Sequence, residues 1–195
     1  MKIAAFILGV ALLAGCGSGV ASRNPMEASV APAPAAPLCP SQYNFEAAGA
    51  QLAWQAPTWA PANSGSPQRV TTAAVCGSYS LKQHIVLTGA GSSYGLLYSV
   101  FSTAQNMDGR TIALYLRLDP PPPADLGFRP QFIDMRNEWV GSDRTPFFAL
   151  AAGWNLIQRG FVGNDFKQVM ALNFQVVTNN GVSYAGDMWI DEVNW

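Results

Sequence analysis

The amino-acid sequence predicts an all-β protein whose folded part is a single β-sandwich. Several segments alternate apolar and polar residues with the period of two that a half-buried strand requires, most clearly between Thr111 and Leu118. The chain contains 18 glycines and 14 prolines, only 12% of its residues are charged, and no long segment has helical periodicity. Strands joined by Gly- and Pro-containing turns account for the alternation, for the glycines and prolines, and for the lack of helical periodicity.

The N-terminus has the features of a secretory signal. Lys2 precedes an apolar run, 3–14, that is too short to span a bilayer, and the run ends in the tetrapeptide LAGC at 13–16. This tetrapeptide resembles the lipobox of bacterial lipoproteins. The resemblance implies a signal peptide over 1–15, cleavage before Cys16 and acylation of Cys16 with palmitate-type chains. An ordinary buried cysteine in a signal-anchor helix is the alternative.

The same resemblance predicts the cell envelope as the location. Gly17 stands where an aspartate would resemble an inner-membrane retention signal, so the outer membrane of a Gram-negative host is expected. Residues 16–37 are rich in Ala, Pro and Ser and end in VAPAPAAP, which predicts a semi-rigid tether reaching on the order of 60 Å. The sandwich domain is then expected over 38–195.

The charge balance excludes some partners. Removing the signal leaves ten basic against twelve acidic residues, with His84 neutral. Nucleic acid and anionic membrane surfaces attract basic stripes, so neither is expected as a partner, and membrane contact is expected through the lipid anchor alone. Two further cysteines, Cys39 and Cys76, are predicted to form a disulfide in an oxidising compartment that pins the first strand to the second. Two free buried thiols are the alternative.

Taken in order, the strands are predicted as follows. The first is YNFEA at 43–47, and the second is SYSLKQHIVL at 78–87, with Leu81 and Gln83 on its core face and His84 on the other. YGLLYSVF at 94–101 is apolar on both faces, which predicts a central strand. After the clean alternation of 111–118, the prolines at 120–123 predict an exposed loop, and WNLIQ at 154–158 another strand.

The last two strands are predicted to close the sandwich as a hairpin. MALNFQVV at 170–177 and YAGDMWIDEVNW at 184–195 flank a turn formed by Asn179, Asn180 and Gly181. Alternation places Trp189 on the face opposite the core, where Asn173 and Gln175 would lie beside it. An indole flanked by amides suits a sugar ring, and a solvated outer face with one stray aromatic is the alternative.

Five motifs occur in an order typical of one family. They are NFE at 44–46, CGSYSL at 76–81, MDGRTIALYL at 107–116, LAAGWNLI at 150–157 and YAGDMWIDEVNW at 184–195. Together they resemble the galactose-binding-like jelly-roll carbohydrate-binding modules that accompany bacterial cellulases and mannanases. The resemblance implies non-catalytic binding of a poly- or oligosaccharide, with a glycan-degrading enzyme as a possible partner in trans.

The resemblance also implies site residues. Sugar binding would fall to the concave face, formed by Tyr115, Arg117, Asn173, Gln175 and Trp189. A structural Ca²⁺ would be held by Glu46 and Asp191 with backbone oxygens near Gly77. Either carboxylate could instead cap a loop or pair with an arginine. Trp54 and Trp59 are expected to pack on the sandwich edge, while the positions of Trp139 and Trp154 are left open.

Two rival functions share this fold. A jelly-roll glucanase would need an E-x-D-x-x-E strand, whereas DMRNE at 134–138 lacks the first glutamate and has the wrong spacing. The H-E-x-x-H motif of metalloproteases is missing from the sequence. His84 has no nucleophile or orienting carboxylate that the sequence identifies, so no catalytic residue is predicted. The second rival is a structural or protein-binding envelope lipoprotein that keeps the fold without a sugar site.

Overall fold

The computed structural model describes residues 39, 42–57, 60, 62–89, 94–140, 148–178 and 181–195. All of them belong to one compact unit, Pro34–Trp195. Cys16, the tether at 16–37, Trp59 and the Asn179–Asn180 turn lie outside the described residues, as do the predicted domain boundaries. Within the described ranges, no helix has the length and apolar character needed to cross a membrane.

The described residues form two antiparallel sheets. The strands are β1 Asn63–Val70, β2 Ser80–Leu87, β3 Tyr94–Gln105, β4 Thr111–Asp119, β5 Leu126–Asp134, β6 Trp139–Val140, β7 Phe148–Ala149, β8 Asn155–Gly160, β9 Val169–Thr178 and β10 Tyr184–Asn194, with short 3₁₀ helices at Ala50–Ala53 and Asn164–Phe166. Sheet I has the order β1-β2-β10-β4-β8, and sheet II has the order β3-β9-β5-β6 with β7 on β5. The predicted all-β sandwich is confirmed.

The core lies between the two sheets. From β4, the inward residues Ile112, Leu114, Leu116 and Leu118 are each at most 2% exposed, and β9 contributes Leu172, Phe174 and Val176 at 0%. Burying one such side chain contributes about 1.5–3 kcal/mol, so the alternation read in the sequence is the main stabilising pattern. Trp54 stacks on Phe174 with 5.2 Å between ring centroids, so its predicted packing role is confirmed.

The predicted closing hairpin is wrong. β9 pairs with β3 and β5 in sheet II, whereas β10 pairs with β2 and β4 in sheet I. The chain therefore crosses from one sheet to the other between these two strands. Alternation identifies which face of a strand is buried, but it carries no information about which strand lies beside it.

Two other strand predictions are corrected. Residues 43–47 form only an isolated bridge, Tyr43 with Val193, because Phe45 has a positive φ of 58° that an extended strand does not allow. β3 is an edge strand of sheet II rather than a central one. Its edge is bridged by Gln55, whose N–H donates to Tyr98 O at 2.8 Å, while Tyr98 N–H donates to Gln55 O at 2.9 Å.

The predicted disulfide between Cys39 and Cys76 is confirmed, with Cα atoms 6.2 Å apart. It does not pin the first strand to the second, because Cys39 lies outside any strand and Cys76 belongs to the loop before β2. The bond closes a loop across 37 positions, which the chain-entropy model values at roughly 3 to 4 kcal/mol. The N-terminal segment of the domain is thereby tied to this loop.

Candidate functional site

The five predicted sugar-binding residues do not share one face. Tyr115, Arg117 and Trp189 lie on the outer face of sheet I, while Asn173 and Gln175 lie on the outer face of sheet II. The predicted grouping is therefore wrong, for the same reason as the hairpin: it assumed that β9 and β10 are neighbours. The role of each residue in ligand binding stays a prediction.

Trp189 is covered by cations rather than flanked by amides. Its register partners are Lys82 on β2 and Arg117 on β4. Lys82 Nζ lies 5.9 Å and Arg117 Cζ 5.3 Å from the indole centroid, within the range of cation–π attraction. Trp189 and Tyr115 are each 6% exposed, so neither offers an open ring face to a sugar. On sheet I, the geometry favours the reading of Trp189 as an aromatic packed on the outer face.

Sheet II carries a polar outer face that we call the amide face, formed by Tyr98, Arg129, Gln131, Asn173 and Gln175. Tyr98 on β3 and Gln131 on β5 stand opposite Asn173 on β9, in one row across three strands. In the next row, Arg129 Nε donates a hydrogen bond to Gln175 Oε1. Tyr98 donates its hydroxyl proton to Gln55 Oε1 at 2.7 Å.

The centre of the amide face has polar atoms without partners. Asn173 is 0% exposed, yet neither its Oδ1 nor its Nδ2 has a hydrogen-bond partner, and the same holds for Oε1 of Gln131, which is 3% exposed. An unpaired buried polar group costs about 1–3 kcal/mol, so such groups are uncommon unless they serve water or a ligand. The protein thus leaves hydrogen-bonding capacity in this row that water or a ligand could use.

An exposed indole lies at one margin of the amide face. Trp139 on β6 stands opposite Ile133 on β5, which shares the outward parity of Arg129 and Gln131, and 41% of Trp139 is exposed. The sequence pattern does not assign this tryptophan to a face. Arg129 and Gln131 are not among the predicted site residues either, although their alternation with the fully buried Phe128 and Phe132 is the signal that orients β5.

The two predicted calcium ligands accept backbone hydrogen bonds. Glu46 Oε1 accepts from the N–H groups of Ser78 at 2.9 Å and Tyr79 at 2.8 Å. Asp191 Oδ2 accepts from Val75 N–H at 2.8 Å and Cys76 N–H at 3.4 Å. Both carboxylates therefore cap the loop before β2. The positive ends of four N–H groups face these oxygens, which fits loop capping better than a calcium shell, and calcium binding stays a prediction.

Burial shapes the chemistry of this loop anchor. Desolvation raises the pKa of Asp191 to about 6, and the charge of Glu192 adds to the rise, while the backbone N–H bonds oppose it. Gly77 is required here, because a Cβ at this position would lie 2.4 Å from Glu46 Oε1 and the residue has a φ of 65°. The anchor and the disulfide together fix the loop.

A second cluster of metal-type ligands lies beside this anchor. Ligand atoms of Cys39, Cys76 and Glu192 all lie within 4.8 Å of one another. Because the two sulfur atoms form the disulfide, they offer no thiolate to a metal ion. The cluster is therefore a structural feature of the loop anchor.

Comparison with protein-family models and with curated proteins finds no match. Among solved structures, the chain is similar to a carbohydrate-binding module of the β-sandwich superfamily described as promiscuous in specificity, with TM-score 0.56 and 15% identity, covering 80% of this chain and 61% of that one. It is similar to a non-crystalline cellulose-specific module, CBM28, with TM-score 0.55 and 14% identity over 78% and 91% of the two chains.

A further likeness is to CBM27-1 of Caldicellulosiruptor saccharolyticus, solved in complex with mannohexaose. Its TM-score is 0.51 at 16% identity, covering 77% of this chain and 93% of that one. At these identities the likenesses show the fold alone. The described chain thus has the β-sandwich fold found in carbohydrate-binding modules.

Proposed function

We propose that this protein binds a poly- or oligosaccharide, without cleaving it, through the amide face of sheet II. The observation that carries the proposal is the row of Asn173 and Gln131, whose unpaired amide atoms lie in register across neighbouring strands. Amides both donate and accept hydrogen bonds, as sugar hydroxyls do, and an exposed indole such as Trp139 can stack against the C–H face of a pyranose.

The neighbours in structure support the ligand class. One is specific for non-crystalline cellulose and another was solved with mannohexaose. Asn173 is fully buried, so a sugar reaches its amide only when the side chains around it move aside. We therefore expect binding with local rearrangement of side chains on the amide face.

The test is retention on polysaccharides. Residues 16–195 with Cys16→Ser, which removes the acylation site, are run through gels containing cellulose derivatives, mannans, xylans, β-glucans and bacterial glycans. We expect retardation by at least one glycan and a change in tryptophan fluorescence from Trp139. A folded protein that no glycan retards would contradict the proposal.

Anchoring at Cys16 is part of the proposal. A lipid anchor followed by the tether at 16–37 would hold the binding domain away from the outer membrane, where it could retain a glycan for a degrading enzyme acting in trans. Mass spectrometry of the protein purified from membranes is expected to find an acylated Cys16 at the N-terminus. An intact signal peptide or an unmodified Cys16 would contradict the anchor.

A structural or protein-binding envelope lipoprotein is the second candidate. It is favoured by one observation, the low exposure of Trp189 and Tyr115, because neither ring offers an open face to a sugar. The polysaccharide test separates the two candidates, because a structural lipoprotein with the same fold would be retarded by none of the glycans.

A further inference from the structure

Sheet I carries a polar cavity on its outer face, on the side of the sandwich opposite the amide face. Three neighbouring strands place Ser64, His84 and Asp187 in one row across the sheet. The cavity has a volume of about 270 Å³, and its lining side chains are Ser64, Ser66, Gln68, Lys82, His84 and Asp187. We call it the bulge cavity.

A bulge in β1 opens this cavity. The β1–β2 register passes from Ser64 opposite His84 to Gln68 opposite Lys82, so that three residues of β1 stand opposite the single Gln83. Gly65 has a φ of 74°, which suits a bulge. Bulges of this kind re-aim side chains and part neighbouring strands, which accounts for the space beside His84.

The bulge is held by a buried amide. Gln83 points into the core and is 1% exposed, and its Nε2 donates to Ser64 O at 3.0 Å and to Gly65 O at 3.3 Å. The side chain of Gln83 thus gives these two carbonyl groups the hydrogen bonds that they lose from the β1–β2 ladder at the bulge. An inward strand position of this kind is ordinarily occupied by an apolar residue. The cavity is consequently a specified part of the fold.

Asp187 presents a charged carboxylate between two nitrogen donors. Its Oδ1 lies 2.8 Å from His84 Nδ1, and its Oδ2 lies 3.2 Å from Lys82 Nζ. Burial acts to raise the pKa of Asp187, but the hydrogen bonds and charges of His84 and Lys82 outweigh it and hold the pKa below its ordinary value. The side chains of His84, Lys82 and Asp187 are 47%, 28% and 25% exposed, so a ligand can reach all three.

We propose that the bulge cavity binds a single neutral pyranose ring through adjacent hydroxyl groups. The carboxylate of Asp187 accepts from one hydroxyl and Lys82 donates to the next, while His84, whose Nδ1–H donates to Asp187, accepts from a hydroxyl through Nε2. Ser66 and Gln68 complete the polar lining. Lys82 and Asp187 balance each other's charge, which favours a neutral sugar over an acidic one. The volume lies just below the ~300–1,000 Å³ of ordinary ligand pockets, so one ring fits better than an oligosaccharide.

This inference rests on the proposed carbohydrate function and extends it to a second face. Because the two outer faces of a sandwich point in opposite directions, one domain could hold two glycan chains, or a chain and a chain end. Occupation of both faces would make the domain a cross-linker rather than a simple anchor point.

The sole histidine of the chain makes the cavity directly observable. The ring C–H proton signals of His84 are followed by NMR in residues 16–195 with Cys16→Ser, while the methyl glycosides of glucose, galactose, mannose and xylose are titrated in, with glucuronic acid as the acidic probe. We expect a saturable shift of these signals with at least one neutral glycoside. Asp187→Asn, which keeps the shape and removes the charge, should weaken that binding roughly tenfold.

A second variant keeps the test informative if Asp187→Asn fails to fold. Ser66→Leu fills the cavity from an exposed bulge position and should abolish the shift, whereas Asn173→Leu on the amide face should leave it unchanged. The inference would be overturned if no neutral glycoside shifts the His84 signals, or if glucuronic acid alone shifts them. It would also be overturned if the shift persists in Ser66→Leu.

The outcomes separate the two sites. If a polysaccharide retains the protein and no glycoside shifts the His84 signals, the bulge cavity is not a sugar site and the amide face remains the proposed binding site. A shift of His84 without polysaccharide retention supports the cavity and removes the proposed role of the amide face.

Discussion

Asn173 is the residue on which the binding proposal depends, because it combines complete burial with two unpaired polar atoms. At this buried position of the outer face, an apolar side chain would make the fold more stable. Proteins keep such costly groups mainly where function needs them. Nε1 of Trp189 and the hydroxyl of Tyr115 on sheet I are also buried without partners, but within the described residues Asn173 leaves both of its polar atoms unpaired, which makes the amide face the better candidate.

Replacing Trp139 with Ala should weaken glycan binding with little effect on folding. The side chain is 41% exposed, so its removal should change the free energy of unfolding by less than about 1 kcal/mol, while loss of a stacking platform should cost roughly tenfold in affinity. Urea denaturation and affinity electrophoresis measure the two effects. Unchanged electrophoretic retardation would remove Trp139 from the site.

Replacing Trp189 with Ala should have the opposite profile. Because Trp189 is 6% exposed and contacts Lys82 and Arg117, truncation should lower the free energy of unfolding by about 3 kcal/mol and leave glycan affinity unchanged in the fraction that folds. A variant that unfolds normally but no longer binds would restore the original sequence-based role of Trp189.

Asp191 should give the domain a measurable pH dependence. Its folded-state pKa of about 6 lies above its ordinary value, so between about pH 4 and pH 6 the folded state holds a proton that the unfolded state has released. The contribution of this group therefore falls as pH rises through that window, by about 3 kcal/mol at most. Asp191→Asn should flatten this part of the stability curve in urea denaturation at pH 4 and pH 7. A parallel curve for the variant would show that Asp191 is not the group responsible.

At the scale of elements, alternation in the sequence predicted which face of a strand is buried, but it did not predict which strands are neighbours in a sheet. The inward residues of β4 and β9 were identified correctly, since burial of one face imposes a period of two. The pairing of β9 with β10 was not, because neighbours in a sandwich are set by long-range packing. Asn173 and Gln175 were consequently identified as a polar pair but assigned to the wrong surroundings.

The loop before β2 is the element that the carboxylates of Glu46 and Asp191 stabilise. If these groups act as caps, Glu46→Gln should lower the free energy of unfolding by about 1–2 kcal/mol, since the charge-assisted bonds to Ser78 and Tyr79 weaken. Thermal melting with EDTA and with added calcium should then give the same Tm. A lower Tm in EDTA that calcium restores would establish the ion implied by the resemblance.

At the scale of the whole molecule, the fold separates two polar surfaces on opposite sides of one core. The amide face lies on sheet II and the bulge cavity on sheet I. The sequence could predict the sandwich from composition, alternation and motif order, but not this division, because it depends on which strands each sheet collects. A domain with two such surfaces would be suited to holding two glycan segments at once.

The most direct test of the central claim compares Asn173→Leu with a matched variant on the other sheet, Val86→Ala, which changes a 41% exposed residue of β2. Both are measured by affinity electrophoresis in the polysaccharide that retards the parent protein, with urea denaturation alongside. We expect Asn173→Leu to keep or increase stability and to lose roughly tenfold or more in affinity, while Val86→Ala binds as the parent does. Equal retardation of the parent and both variants would contradict binding through the amide face.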